Sequence, residues 1–190
     1  MTQYEVTKED SFECAIRLIN MGYNPCVLDF ASGTNPGGGW RGNNVGSQEE
    51  SLCKRSNLGL LLEKKKYPMP SDSSYYIKNV IINKNLKLEK ISEVKICVIA
   101  SELKGISERT SKYLQKRISD WYEIASMNGH DYLILGAIGC GAFKESENDA
   151  SILSIQMKIC ADKYNDQIKS VYAIYNNKNN FNSFKRNLCN

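Results

Sequence analysis

Two adjacent glutamates, Glu49 and Glu50, follow Gln48 after an interval of eight residues from three consecutive glycines, Gly37, Gly38 and Gly39. Neighbouring carboxyl groups raise each other's pKa by like-charge repulsion, and burial raises it further. A glutamate in that state can work as a general acid near neutral pH. Consecutive glycines allow positive φ and let backbone N–H groups approach a ligand closely. Such N–H concavities bind phosphate. The same residues also admit a purely structural reading. Ser47 to Glu50 fits a capping box, with Ser47 as N-cap and Glu50 at N3, and acidic residues in a first turn suit the helix dipole. Gly37 to Gly39 can equally be a flexible turn after Pro36.

A second glycine loop, Gly139-Cys140-Gly141-Ala142-Phe143, leaves another apolar run. No GxxxxGK[ST] occurs, and "GTNPGGG" lacks GxGxxG spacing directly before a helix, so a P-loop is excluded and a dinucleotide fingerprint is poor. Seven cysteines, none spaced as CxxC, and one histidine, His130, make a zinc site an unsuitable reading. No metal and no cofactor are expected. The cysteines read as reduced, mostly buried thiols. His130, at a helix exit, reads as a structural histidine.

These loops need a frame. A helix capped by Thr7 carries Phe12, Ala15, Ile16 and Ile19 on one face and ends at Gly22. Cys26 to Phe30 is a short buried strand. A helix from Ser47 to Lys66 follows the first loop and ends before Pro68 and Pro70. Tyr75 to Asn83 reads as a strand pair or bent strand, and Glu93 to Ser101 as a strand. A long helix capped by Ser107 closes at Gly129. Strand Asp131 to Ile138, helix Ala150 to Tyr164, strand Ser170 to Tyr175 and a short docked helix through Phe181, Phe184 and Leu188 complete the pattern. Alternating strands and helices predict an α/β layer fold around a largely parallel sheet. Ligands bind beyond the carboxyl ends of strands in such folds, which puts both glycine loops on one edge.

One domain over residues 1–190 is expected. A net charge of +4 suits an anionic ligand and falls short of a nucleic-acid footprint. The polar N-terminus and the absence of an apolar run of ~20 residues predict no membrane contact, and the reduced thiols with no N-x-S/T sequon predict an intracellular protein, cytoplasmic or alternatively nuclear. A monomer is expected.

The stretch "VLDFASGTNPGGGWRGNNVGSQEESLCKRSNL" resembles the signature of the poly(ADP-ribose) glycohydrolases in their short microbial form: GGG, six to eight residues, then QEE. "DSFECAIRLI", "RISDWYEIASMNGHDYLILGAIGCGAF" and "VYAIY" extend the resemblance over nearly the whole chain. It implies a macrodomain-like three-layer α/β/α sandwich with a mixed, largely parallel sheet. It implies hydrolysis of ribose–ribose O-glycosidic bonds in poly(ADP-ribose), or of ADP-ribosylated protein, with ADP-ribose as product. By the resemblance Glu50 is the catalytic acid and Glu49 holds hydroxyls of the ribose being cleaved. Gln48 shapes the site, and Gly37, Gly38 and Gly39 pack against ribose and diphosphate. Gly139, Cys140, Gly141, Ala142 and Phe143 form the diphosphate loop, with Phe143 positioning the ribose. Ser32 or Asn35 supplies a ribose-binding polar side chain. "KESEND", Lys144 to Asp149, departs from the family's Asn-Pro-Pro type sequence. Tyr67, Tyr75 and Tyr76 match the animal enzymes' adenine-clasping tyrosine by position only and read as structural aromatics. The alternatives are an ADP-ribose reader without catalysis and a hydrolase of another ADP-ribose linkage on protein or nucleic acid.

Overall fold

The structure is a computed structural model that describes residues 4–43 and 45–189. Six strands form one sheet in the order β1-β6-β5-β2-β4-β3. They are β1 Glu5–Thr7, β2 Pro25–Phe30, β3 Ser74–Lys84, β4 Lys90–Ser101, β5 Tyr132–Leu135 and β6 Lys169–Ala173. Every pairing is parallel except β3 with β4 at one edge. β3 is a single strand whose register shifts between Ile77 and Val80, where Asn79 has φ 61°, so the bent-strand alternative holds.

The helices are α1 Ser11–Asn20, α2 Gln48–Lys54, α3 Leu58–Leu62, α4 Ser111–Met127, α5 Asp149–Tyr164 and α6 Lys178–Leu188. One core layer joins α1, α2 and α3 to the sheet through Phe12, Leu18, Val27, Leu52, Leu58 and Leu62. The other joins α4, α5 and α6 through Leu28, Trp121, Tyr122, Met157 and Phe184. This is the expected three-layer sandwich. None of the described helices is long and apolar enough to cross a membrane.

Several boundaries differ from the sequence reading. Asp10, not Thr7, caps α1, its carboxylate accepting from the Phe12 and Glu13 amides, while Thr7 belongs to β1. The helix expected over Ser47 to Lys66 is two short helices. Arg55 and Ser56 interrupt it because they join the sheet: Ser56 bridges to Ile82, and the Arg55 carbonyl accepts from Asn83 and Lys84. Ser107 lies in a 3-10 turn, and Thr110 caps α4 by accepting from the Tyr113 amide. β5 stops at Leu135, because Gly136 already begins the turn into the second loop. Gly129 closes α4 with φ 75°, as expected.

β2 and β5 define where a ligand can enter. The chain leaving β2 runs to α2 on one face, and the chain leaving β5 runs to α5 on the other. Adjacent strands with oppositely directed exits form the crevice at which open α/β sheets bind ligands.

Candidate active site

β2 pairs with β5 only as far as Val27 with Ile134. Beyond that point the strands part, and Gln48 fills the gap. Its Nε2 donates to the Leu28 carbonyl (2.9 Å) and to Ser11 Oγ (3.1 Å), and its Oε1 accepts from the Phe30 amide (2.9 Å). One carboxamide thus takes the place of a neighbouring peptide group. It fixes the first turn of α2 to the end of the central strand. Arg55, at the other end of α2, is buried and pairs with Asp10 (2.6 Å) and Glu13 (2.8 Å) of the α1 start. Removing either buried partner would leave an uncompensated charge, which is costly. Both ends of α2 are therefore held.

The acidic pair diverges from this anchored turn. Glu49 is 2% exposed. Its Oε2 accepts from the Ser32 amide (2.9 Å) and its Oε1 from the Gly37 amide (3.1 Å). Burial pushes its carboxyl up to about 7; the two amides pull against this, and the Glu50 charge adds to it. Glu50 is half-buried and forms the capping box with Ser47. Its Oε2 accepts from the Gly46 (2.7 Å) and Ser47 (3.2 Å) amides, and its Oε1 from the Gly39 amide (2.9 Å). A carboxylate offers about four lone-pair sites. Oε2 is filled, whereas Oε1 keeps one position for a proton.

The triple glycine takes a different part from the one its composition suggests. The Gly37 and Gly39 amides are turned to the two carboxylates, and the Gly38 amide closes a turn on the Asn35 carbonyl. In this arrangement those N–H groups hold protein carboxylates, not an open phosphate nest. A Cβ at Gly39 would stand 2.7 Å from Glu50 Oε1, and one at Gly37 would stand 2.4 Å from the Trp40 ring. Side chains are absent because carboxylate and indole occupy their space.

Asp29, absent from the sequence-based site, lies beside the acidic pair. It is fully buried, and among the described residues neither carboxyl oxygen has a hydrogen-bond partner. Alternation along β2 puts it on the face of Val27, toward α2. Burial and then the Glu49 charge hold its carboxyl well above the usual range. The buried Tyr67 hydroxyl also lacks a partner, and burial followed by Glu49 and Asp29 raises it. The available signal was an aspartate inside the apolar strand "CVLDF".

The second loop meets this turn across a cleft of about 210 Å³ lined by Phe30, Gly46, Ser47, Gly139, Ala142 and Phe143, with Gly141 also at its wall. A larger cleft of about 470 Å³ continues past Phe30, Gly46, Ser47 and Gln48 to Val45, Leu86, Leu88 and Tyr175. Both glycine loops therefore share one edge. Cys140 is the exception in its loop. It is buried, its amide donates to the Ala137 carbonyl (3.1 Å), and its thiol turns to the Ile138 carbonyl. Ser32 Oγ accepts from the Thr34 and Asn35 amides and shapes the first loop, while the Asn35 side chain stays exposed.

The bland residues behave as the sequence suggests. His130 lies at the opposite edge, its ring nitrogens against the Tyr76 hydroxyl (2.8 Å) and the Asn24 carbonyl (3.1 Å). The Tyr75 hydroxyl donates to the Lys66 carbonyl. Trp40 packs on the first glycine loop. All seven cysteines are free thiols, and no cluster of metal-ligating side chains occurs among the described residues.

Residues 1–86 match the family model "Microbial-type PARG, catalytic domain". Among solved structures, the chain superposes on poly(ADP-ribose) glycohydrolase from Deinococcus radiodurans in complex with ADP-ribose, with TM-score 0.83 and 22% identity, covering 98% of this chain and 83% of that one. The enzyme from Thermomonospora curvata gives 0.81 at 22% identity, over 98% of this chain and 76% of that one. The same enzyme bound to the inhibitor ADP-HPD gives 0.80 at 22%, over 97% and 78%. A comparison with curated proteins finds no match. Residues 1–86 thus resemble the microbial-type poly(ADP-ribose) glycohydrolase catalytic domain, and the chain as a whole shares the fold of the two bacterial enzymes.

Proposed function

We propose that this protein hydrolyses ribose–ribose O-glycosidic bonds in poly(ADP-ribose) and releases ADP-ribose, with Glu50 as the general acid. The observation that carries the proposal is the first turn of α2, which ties Glu50 to Gly46 and Ser47 of the cleft wall with one carboxyl lone pair free, and Glu49 buried behind it. In this reading the ADP-ribose diphosphate lies along Gly139 to Phe143. The adenine takes the larger cleft, where Tyr175, Leu86 and Leu88 offer apolar walls.

The bond to the anomeric carbon breaks through an oxocarbenium-like state. Glu50 protonates the departing 2′-oxygen as that bond lengthens, and the leaving unit departs as an alcohol. The Glu50 carboxylate and the substrate phosphates then stabilise the cation. Water adds to the anomeric carbon and returns its proton to Glu50. Glu49 supports ribose hydroxyls through the loop it shares with Ser32 and Gly37.

One observation favours a second reading, an ADP-ribose reader without catalysis. Glu50 accepts from three backbone amides, which is what a structural cap would do. Mixing the protein with poly(ADP-ribose) separates the two readings. Release of monomeric ADP-ribose is expected. An intact polymer, with ADP-ribose still raising the melting temperature, would leave the reader.

A further inference from the structure

Beyond β4 the carboxyl edge of the sheet carries another cleft, of about 180 Å³, which the reaction above does not use. Its walls include Met69, Asp72, Leu103, Lys104, Arg109 and Tyr113. Two connections tie it to the acidic pair. The Ser32 amide holds Glu49; the next residue, Gly33, donates its amide to Glu102 Oε1 (3.1 Å), while its carbonyl accepts from the Met69 amide (2.7 Å). On the other side the Lys104 ammonium stands 5.7 Å from the centroid of Phe143, whose ring lines the first cleft. The two clefts are thus consecutive along one edge, with Ser32, Gly33 and Phe143 between them.

The fittings of this cleft are specific. The Arg109 guanidinium lies 4.9 Å over the Tyr113 ring, and the Tyr113 hydroxyl donates to Asp72 Oδ1 (2.5 Å). Arg109 makes no ion pair among the described residues, although Glu108 and Glu145 approach it near Gly105. Lys104 pairs with Glu102 at 3.1 Å. With Asp72, Glu102, Glu108 and Glu145 nearby, recognition here rests on a placed planar cation and an aromatic platform, not on a broad basic field. An aromatic face with a guanidinium suits a stacked base. Arginine's donor fork suits phosphate oxygens.

We infer that this cleft receives the leaving half of the substrate, the adenosine and diphosphate of the ADP-ribose unit that departs when the glycosidic bond breaks. The inference rests on the glycohydrolase reading above. A substrate held on both sides of the scissile bond explains why the edge carries a further cleft lined by Tyr113 and Arg109. The departing oxygen is the 2′-hydroxyl of an adenosine, so the group next to the acid carries both a base and phosphates.

The test compares two substrates: poly(ADP-ribose), and ADP-ribose linked at the same anomeric carbon to 4-nitrophenol, which has no leaving adenosine. Arg109→Glu should lower kcat/KM on the polymer by about tenfold or more, the scale of a lost charge-assisted contact. On the nitrophenyl substrate it should stay within about twofold of wild type, as should the ADP-ribose Kd. Arg109→Ala should show the same contrast more weakly, and Arg109→Lys should recover part of the polymer rate. Equal losses on both substrates, or an unchanged polymer rate with active wild type, would overturn the cleft assignment alone. Wild-type protein inactive on both substrates would overturn the underlying reading as well.

Discussion

The two glycine loops leave neighbouring strands at one edge and look alike in sequence, yet Gly37 to Gly39 and Gly141 are glycines for opposite reasons. In the first, glycine makes room for protein groups. Carboxylates and an indole stand where the side chains of Gly37, Gly38 and Gly39 would be, and two of the three amides are committed to Glu49 and Glu50. In the second, glycine keeps a surface open. This holds at Gly141, which lines the cleft and where a Cβ would meet nothing within 4 Å; Gly139 instead has φ 76° and packs against the Leu103 carbonyl and Ile106. Glycine runs that could all be called phosphate loops therefore divide into one that holds two protein carboxylates and one that floors a cavity. The partners of the amides, not the run itself, tell them apart.

The largest expected effect is on Glu50, the proposed acid that the first loop holds. Glu50→Gln should lower turnover of poly(ADP-ribose) by about 10²- to 10⁴-fold, the usual contribution of general acid catalysis. Its stability should fall by only about 1 kcal/mol. The Gln carbonyl can still accept from Gly46 and Ser47, but its NH₂ would then face the Gly39 amide, donor against donor. Turnover and melting temperature measured together decide the matter. Near-wild-type turnover would return Glu50 to a pure cap and move the acid to Glu49.

A second expectation concerns pH. The folded state holds the Glu49 proton up to about 7, whereas an ordinary glutamate releases it near 4.5. The associated stabilisation is complete below about 4.5 and is lost as pH rises through about 7. At about 1.4 kcal/mol per pKa unit, wild type should lose on the order of 3 kcal/mol relative to Glu49→Gln across that window. Asp29, also raised, acts with the same sign. Denaturant unfolding of both proteins at several pH values measures the difference. Parallel curves would mean that the first loop solvates Glu49 far better than its burial implies.

Gly39→Ala tests the same loop by steric means. Gly39 does not adopt a positive φ, so alanine adds no backbone strain, only a methyl 2.7 Å from Glu50 Oε1. Loss of the amide–carboxylate contact should cost about 2 kcal/mol in stability. Turnover should fall with it while ADP-ribose binding persists. Unchanged turnover would show that Glu50 need not hold this rotamer to work.

The layer order, the parallel sheet and the shared edge of the two loops were legible because periodicity and glycine placement are local signals. So was the capping box, whose four residues are contiguous. What escaped was non-local. Nothing within Ser47 to Lys66 announces that Arg55 turns inward to Asp10 and Glu13, so one helix was read where two exist. The fate of the Gly37 and Gly39 amides depends on where α2 docks, which Gln48 decides by reaching back to Leu28 and Phe30. Asp29 was visible as an odd residue in an apolar strand, but its proximity to Glu49 arises only when β2 and α2 pack.

The smallest expected effect completes the contrast. Gly141 has no positive φ and no neighbour within 4 Å of a Cβ, so Gly141→Ala should leave stability unchanged or raise it by up to about 0.5 kcal/mol, through a less flexible unfolded chain. If the second loop is a floor that a diphosphate must approach at backbone distance, the added methyl meets the ligand instead of the protein. ADP-ribose affinity should then fall about three- to tenfold while the melting temperature of the free protein holds. Gly39→Ala should show the reverse, lower stability with affinity retained. An unaltered Kd for Gly141→Ala would mean that the ligand never comes close to that residue, and that the diphosphate rests on Gly139, Ala142 or Phe143 instead.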